Sequence, residues 1–251
     1  MMYRRLVQSR TLVFLFFILI FLYPSVALAQ SFSLDLGDGP SSTGRIIQLF
    51  LLITVLSLAP SILVMMTSFT RIVVVLSFLR TAMGTQTTPP NQVIMSLALF
   101  LTIFIMMPTL EKSWDQGIRP FIDGEIEEKE AFSKSTAPVR EFMLKHVREK
   151  DLKIFLDASG EGLLEKPSDI PLKTLIPAFM ISELRRAFEI GFLVFIPFLV
   201  IDMVVASVLM SMGMMMLPPI IIALPFKIIF FVLVDGWFLI SGSLLESFNT
   251  G

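Results

Sequence analysis

Long apolar stretches alternate with polar segments along the chain. Four such stretches run over residues 46–79, 93–107, 190–210 and 220–240. Apolar runs of this length are typical of helices that lie in a membrane or in a protein interior. The pattern predicts an all-α integral membrane protein built from helical hairpins.

The segment between the second and third apolar stretches has a different character. Residues 111–181 carry charges of both signs, and within them Phe142, His146, Leu152 and Phe155 recur at roughly helical spacing. Spacing of this kind predicts amphipathic helices with one face toward water. We therefore expect a helical region that lies outside the membrane.

The first 29 residues have the pattern of a secretory signal peptide. A basic segment, an apolar core and a small-residue site follow one another at Arg4, Arg5 and Arg10, at Leu12–Leu22, and at Ala27–Ala29. We expect cleavage between Ala29 and Gln30, followed by an extended polar segment over residues 30–44. The alternative is an uncleaved first membrane helix, because the apolar core is slightly long.

The charges of the connecting segments predict the orientation. The connection between the first two stretches includes Arg71 and Arg80 and no acidic residue, so we expect it to face the cytoplasm. Residues 111–181 are too long a segment for the charge rule, and we place them on the periplasmic side. This arrangement divides the mature chain into hairpins over 45–110 and 182–251, joined by the periplasmic helical region.

The turns of the two hairpins share a sequence pattern. "MGTQTTPP" at Met83–Pro90 and "MGMMMLPP" at Met212–Pro219 both read Met-Gly, four residues, Pro-Pro. Glycine suits the end of a helix, and proline suits the first turn of the next one. The pattern indicates either two coincident helix breaks or repeated hairpins whose turns lie on one side of the membrane.

Each apolar stretch has a flaw as a span surrounded by lipid. The stretch at Val93–Met107 is shorter than the roughly 20 residues that a crossing helix needs. The other stretches contain prolines and ionisable residues: Pro60, Pro197 and Pro225, and Arg71, Asp202, Lys227 and Asp235. Charges within a membrane usually face protein or water. We therefore expect these helices to pack against other chains in an oligomer.

Asp202 and Lys227 lie at similar depth on the two helices of the second hairpin. Asp202 precedes Gly213 by eleven residues, and Lys227 follows Pro219 by eight. At 1.5 Å per residue the difference in depth is within reach of a lysine side chain. The spacing predicts an ion pair, unless each group finds another partner or water in the assembly.

Composition excludes several classes of function. Apolar residues make up 55% of the chain, the formal net charge is −1, and the chain has one histidine and no cysteine. A nucleic-acid partner would require a basic patch, and thiolate chemistry would require cysteine. We found no nucleophile with a base and no phosphate-binding loop, so we expect no enzyme activity, cofactor or metal.

Two other functions compete on the residues alone. An ion- or proton-conducting carrier would use Asp202, Lys227 and Asp235 as a relay, because membrane carboxylates mark such paths. The methionines of residues 210–216 would serve in copper handling, since thioethers bind Cu(I). A copper site usually recruits histidine or cysteine as well, and neither is near that segment.

Two long segments resemble the FliP family of flagellar biosynthetic proteins. They are "RIVVVLSFLRTAMGTQTTPPNQVIMSLALFLTIF" and "PAFMISELRRAFEIGFLVFIPFLVIDMVVASVLMSMGMMMLPPIIIALPFKIIFFVLVDGWFL". The resemblance covers nearly all of the chain from about Arg45 and is weakest over residues 111–170. Two departures are Thr87, where family members often have glutamine, and the basic pair Arg185–Arg186.

The resemblance implies a role in flagellar type III protein export at the bacterial inner membrane. It implies a basal-body export gate of five such subunits with FliR and FliQ, forming a cone through which unfolded flagellar proteins pass. It also implies a pore gasket and an intersubunit seam. The gasket would comprise Met214, Met215 and Met216, held by Gly213, Pro218 and Pro219, and the seam would comprise Glu183, Arg185, Arg186 and Glu189.

Overall fold

The computed structural model describes residues 40–85, 87–160, 170–214 and 216–249. Within these ranges the chain forms helices and turns and no strand. The prediction of an all-α fold is confirmed. The predicted signal peptide and the cleavage site at Ala29–Gln30 lie outside the described residues.

The described residues form the following helices in chain order. They are α1 (Pro40–Met66), α2 (Phe69–Ala82), α3 (Asn91–Ser113), α4 (Arg119–Ile122), α5 (Glu128–His146), α6 (Glu149–Ser159), α7 (Leu172–Ser211), α8 (Pro219–Leu233) and α9 (Gly236–Asn249), with a π-helical turn at Trp114–Ile118.

The first helix starts earlier than the sequence predicted. It begins at Pro40, so residues 40–44 are helical and not extended. Proline suits the first helical position because its missing N–H would have no partner there. The chain divides into two compact units at Thr54 and Val55, and α1 begins in the first unit and ends in the second.

Helix α2 lies at the centre of the second unit. Its inward positions Ile72, Val75, Leu76 and Leu79 lie at i, i+3, i+4 and i+7, on one face of the helix, and are almost fully buried. The helix packs against α3 and α7. The apolar stretch over 46–79, predicted as one run, therefore forms two helices: α1 ends at Met66 and α2 begins at Phe69.

Two helices are long and apolar enough to cross a membrane. One is α7, with 40 residues, and the other runs for 32 residues from Asn91 to Ile122 through the π-helical turn. The expectation that the second stretch is too short is wrong, because the helix continues through Pro108. A third candidate is the pair α8–α9, which bends by 63° at a break that includes Asp235.

The amphipathic helices α5 and α6 pack on the first half of α7. His146 of α5 is buried and Phe142 half-buried, which confirms the predicted apolar face. Met143 of the same helix joins Leu175 and Phe179 of α7 in a buried cluster. The helices α5 and α6 therefore support the first half of α7, and the second half extends beyond them.

Candidate functional site

The methionine loop joins α7 to α8 at one end of the second hairpin. Helix α7 ends in a Schellman motif: the N–H of Gly213 donates to the carbonyl of Met210, and that of Met214 donates to Leu209. Gly213 has φ of +73°, which glycine adopts without strain. Pro218 then caps the start of α8, so both ends of the loop are fixed by local backbone preferences.

Three methionine side chains at this loop are exposed among the residues that the structure describes. Met212, Met214 and Met216 are 65%, 43% and 98% exposed, respectively. The predicted gasket residue Met215 lies outside the described residues. A loop whose two ends are fixed and whose described apolar side chains are uncovered is suited to contact another molecule.

The turn of the first hairpin has the same glycine geometry. Gly84 has φ of +78°, and Pro90 caps the start of α3. A Cβ atom on Gly84 would lie 3.5 Å from Leu224 of α8, so this turn packs beside the second hairpin. The shared backbone geometry favours the interpretation that the hairpins are repeated units. Because Leu224 follows Pro219 by five residues, the first turn sits about 8 Å farther along α8 than the methionine loop.

The predicted ion pair between the helices of the second hairpin is present. Lys227 Nζ lies 2.6 Å from Asp202 Oδ2, and it also donates to the carbonyl of Ala82 at 3.1 Å. The lysine side chain is 5% exposed and that of the aspartate 32%. Lys227 thus joins α7 and α8 to the end of α2. The unpaired carbonyls at the end of a helix stabilise a cation such as this ammonium group.

A second ion pair is completely buried near the first half of α7. Arg71 Nε donates to Glu183 Oε2 at 2.8 Å, and Nη2 binds the other carboxylate oxygen. The remaining donor, Nη1, bonds the carbonyl and hydroxyl of Ser247 at 3.0 Å, and the guanidinium lies 3.6 Å from the ring centre of Phe248. This fork of hydrogen bonds holds α2, α7 and α9 together.

A smaller polar cluster attaches the amphipathic region beside that pair. Ser182 donates to Asp151 at 2.6 Å, and Arg148 binds both oxygens of the same carboxylate at 2.8 Å. Burial raises the pKa of Asp151, but these hydrogen bonds outweigh it and hold the pKa below the ordinary value. The adjacent residues Ser182 and Glu183 therefore bind different elements of the fold.

His146 is buried between aromatic rings in the same area. Its ring lies 4.8 Å from Phe142 and 5.3 Å from Phe248, centre to centre. Burial, together with the positive charges of Arg71, Lys145 and Arg186, lowers its pKa to about 4. The ring is therefore neutral near pH 7 and acts as a packed aromatic side chain.

The structure separates the four predicted seam residues. Glu183 points inward to Arg71, so an effect of Glu183 on assembly would act through the fold of its own chain. Arg185 and Glu189 form an exposed pair at 2.8 Å, and Arg186 is half-exposed. A seam role for these three remains a prediction.

Sequence reasoning missed the partners of Arg71. It marked Arg71 as a flaw in an apolar span, and it expected other chains to receive such charges. That expectation is wrong for Arg71, which has its partner within the chain. The available signal was a single arginine within one apolar segment and a glutamate that begins a short charged run before another. Asp151 and Ser182 gave no signal, because each lies among other polar residues.

The described residues that remain exposed on α7 and α8 are mainly apolar. They include Leu193, Val200, Val204 and Val208 of α7 and Ile221, Phe226, Ile229 and Val232 of α8. Between the two helices lies an apolar groove of about 570 Å³. No group of histidine, cysteine, aspartate and glutamate side chains that could hold a metal ion occurs in the described ranges.

Comparison with known proteins identifies the family. A family model described as the FliP family matches residues 52–244. The flagellar biosynthetic protein FliP of Caulobacter vibrioides is 60% identical over 91% of this chain and 86% of its own. That of Bacillus subtilis is 58% identical over 83% and 95%, and that of Aquifex aeolicus 50% over 86% and 91%. The chain belongs to the FliP family of flagellar biosynthetic proteins.

Proposed function

We propose that the chain is a core, channel-forming subunit of the flagellar type III protein export gate. In this role it passes unfolded flagellar subunits across the inner membrane for assembly of the flagellum. Its similarity to relatives named for flagellar biosynthesis supports the flagellar part of the proposal. The observation that carries the channel part is the methionine loop, whose described side chains are uncovered between the long apolar helix α7 and the shorter apolar helix α8.

We place the chain in the bacterial inner membrane as a multi-pass protein of the flagellar basal body. Five copies would assemble with FliR-type and FliQ-type subunits, as the family resemblance implies. The extensive apolar surface of α7 and α8 supports this placement, because a patch of that size marks contact with protein or lipid.

Methionine suits a gasket that must open for many different substrates. Met214, Met215 and Met216 of each copy would form a ring of thioethers around the channel. The side chain is apolar, unbranched and polarizable, so the ring would close against ions and still deform around a passing polypeptide. Gly213 and Pro218–Pro219 would hold the loop without extending either helix into the channel.

Replacement of the three loop methionines by alanine tests the gasket. We expect the complex to assemble normally, because the two described side chains are exposed and stabilise little of the fold. We expect ion leakage across the inner membrane to rise during active export. Alanine at Met203, which is 62% exposed on α7, is the matched control and should cause no leakage.

Normal assembly and secretion without added leakage in the triple variant would refute the gasket. Co-purification tests the wider proposal: the chain should form a ring-like complex, alone or with FliR-type and FliQ-type partners. A wild-type chain that never enters such a complex would refute the channel role.

The pairing of the membrane charges supports a gate subunit over an ion carrier. Asp202 and Lys227 neutralise each other at 2.6 Å, which is a structural use of both groups. The gate proposal predicts no ion transport by the purified chain alone, whereas a carrier would transport.

Processing of the N-terminus is a separate part of the proposal. We expect the mature protein to begin at Gln30, and an Ala29→Asp variant to remain at the full length. N-terminal sequencing of protein purified from membranes checks this. A wild-type protein that begins at Met1 would contradict it.

A further inference from the structure

A cavity of about 470 Å³ lies between α3, α5 and α9. Its walls are partly apolar and partly polar: the apolar side chains include Phe104 and Phe142, and the polar ones include Lys112 and Lys145. The groove between α7 and α8, by contrast, is lined by apolar side chains alone. A cavity that combines an apolar wall with a few polar groups is the usual form of a small-molecule binding site.

The cavity changes character along α3. Phe104 and Ile105 line it at one level, and Thr109 and Lys112 line it about one to two turns farther along the helix. Phe104 is 70% exposed, and Phe100, which lies about one turn before it, is 71% exposed. The apolar wall therefore continues onto the uncovered surface of α3, and the polar wall lies toward the charged end of the helix.

The level of the cavity along α3 coincides with the expected edge of the hydrocarbon. Helix α3 begins at Asn91 and belongs to one of the helices that are long and apolar enough to cross a membrane. Counted from Asn91, a hydrocarbon thickness of about 30 Å is reached about 20 residues later, close to Thr109 and Lys112. The polar wall thus lies at the level of lipid headgroups, and the apolar wall lies at the level where acyl chains begin.

The charges of the cavity suit a ligand with one negative charge. Lys112 and Lys145 are exposed, and among the described residues neither forms an ion pair. Glu141 lies one turn before Lys145 and is the acidic member of the described lining. Together with the two lysines and the neutral, buried His146, it gives the lining a net charge of +1. A phosphodiester group, which carries one negative charge, would balance it.

We propose that this cavity binds an anionic phospholipid with a single phosphate, such as phosphatidylglycerol. Lys112 and Lys145 hold the phosphate as two point charges, and one acyl chain leaves the cavity over Phe104 and Phe100. Basic pockets between membrane helices bind lipid headgroups in this way. The inference goes beyond the proposed function and does not depend on it, because it requires a membrane around α3 but neither a channel nor a ring.

Native mass spectrometry of the full chain tests the site, with phosphatidylglycerol added to protein purified in detergent. The variant Lys112→Gln with Lys145→Gln should retain at least about tenfold less of this lipid than the wild type. The matched control is Lys129→Gln with Lys150→Gln, which removes two exposed lysines outside the cavity and changes the net charge equally. It should retain the lipid like the wild type. Equal retention by the two double variants would overturn the inference.

A variant that fills the cavity provides an independent measurement. Thr109→Trp keeps both lysines and places a large side chain in the space between the walls, so we expect retention of phosphatidylglycerol to be lost. An unfolding temperature near that of the wild type in lipid-free detergent shows that each variant is folded. A folded Thr109→Trp chain that retains the lipid like the wild type would overturn the cavity as its site.

Competing ligands distinguish a lipid from a soluble phosphate ester. Glycerol 3-phosphate has the phosphate without acyl chains, and in large excess it should displace little phosphatidylglycerol. Displacement would assign the cavity to soluble phosphate esters and overturn the lipid inference. Phosphatidylethanolamine has no net charge and should be retained about fivefold less, and equal retention would overturn the anionic assignment. The proposed function fails by a different result, which is a wild-type chain that enters no ring-like complex.

Discussion

The two halves of α7 lie in contrasting surroundings. The first half, up to Gly191, is packed against α2, α5 and α6 and includes the fully buried residues Ser182 and Glu183. The second half is mostly exposed, and its main polar contact is the half-open Asp202. The same helix is thus a core element at one end and a surface element at the other.

The contrast teaches which contacts belong to the chain and which to an assembly. Arg71 uses its hydrogen-bond donors on Glu183 and Ser247, and that end is complete without a partner. At the other end the buried Oδ1 of Asp202 has no hydrogen-bond partner among the described residues, and Met214 and Met216 of the methionine loop are uncovered. Mutations in the first half should therefore affect the fold, and mutations in the second half should affect the complex.

The largest effect is expected from Glu183→Ala. Removal of the carboxylate leaves Arg71 charged and buried without its partner, which costs about 3–5 kcal/mol. We expect little folded protein in the membrane and a lower unfolding temperature for what remains. The matched control is Glu189→Ala, on the same helix, where the carboxylate is exposed. Equal protein levels and equal unfolding temperatures for the two variants would remove the contrast between buried and exposed charge.

Asp202→Ala should have an intermediate effect. It leaves Lys227 buried, but the lysine keeps the carbonyl of Ala82 and the site is partly open. We expect a loss of about 2–3 kcal/mol, together with a lower yield of the complex. The exchange of the two charges should recover only part of both losses, because a carboxylate at position 227 would then face the carbonyl oxygen of Ala82. No recovery in thermal unfolding or in complex yield would contradict a direct contact.

The sequence predicted the features that local rules determine. The Asp202–Lys227 pair followed from depth along two helices, and Gly213 and Pro219 marked the ends of the loop. Glu183–Arg71 could not be predicted, because its partners are 112 residues apart and nothing in the local pattern sets which helices meet. The break of α1 from α2 was missed for a similar reason: apolar residues continue on both sides of it.

The pH dependence of stability tests the packed end in a different way. The pKa of His146 falls to about 4 in the folded chain, against an ordinary value of 6.5. Between these values the unfolded chain binds a proton that the folded chain does not, so stability falls as the pH falls below 6.5. At pH 5 the loss relative to pH 7.5 is about 2 kcal/mol.

His146→Phe keeps an aromatic ring against Phe142 and Phe248 and removes the titrating group. Its unfolding temperature should change little between pH 7.5 and 5, whereas that of the wild type should decrease. Asp151 does not contribute in this range, because its pKa lies below its ordinary value. The same decrease in both proteins would show that another group causes it.

Arg185→Ala should have the smallest effect on the fold. Its pair with Glu189 at 2.8 Å is exposed on both sides, and such pairs contribute less than about 1 kcal/mol. Unfolding temperature should therefore remain near that of the wild type, in contrast to Glu183→Ala two residues earlier.

If Arg185 and Glu189 form a seam between copies, complex yield should still fall, because desolvation at an interface strengthens a charge contact that water weakens on the free chain. Alanine at Lys134, whose exposed pair with Glu130 is also four residues apart, is the control for a solvated pair. Unchanged complex yield in both variants would assign Arg185 to an ordinary water-facing surface.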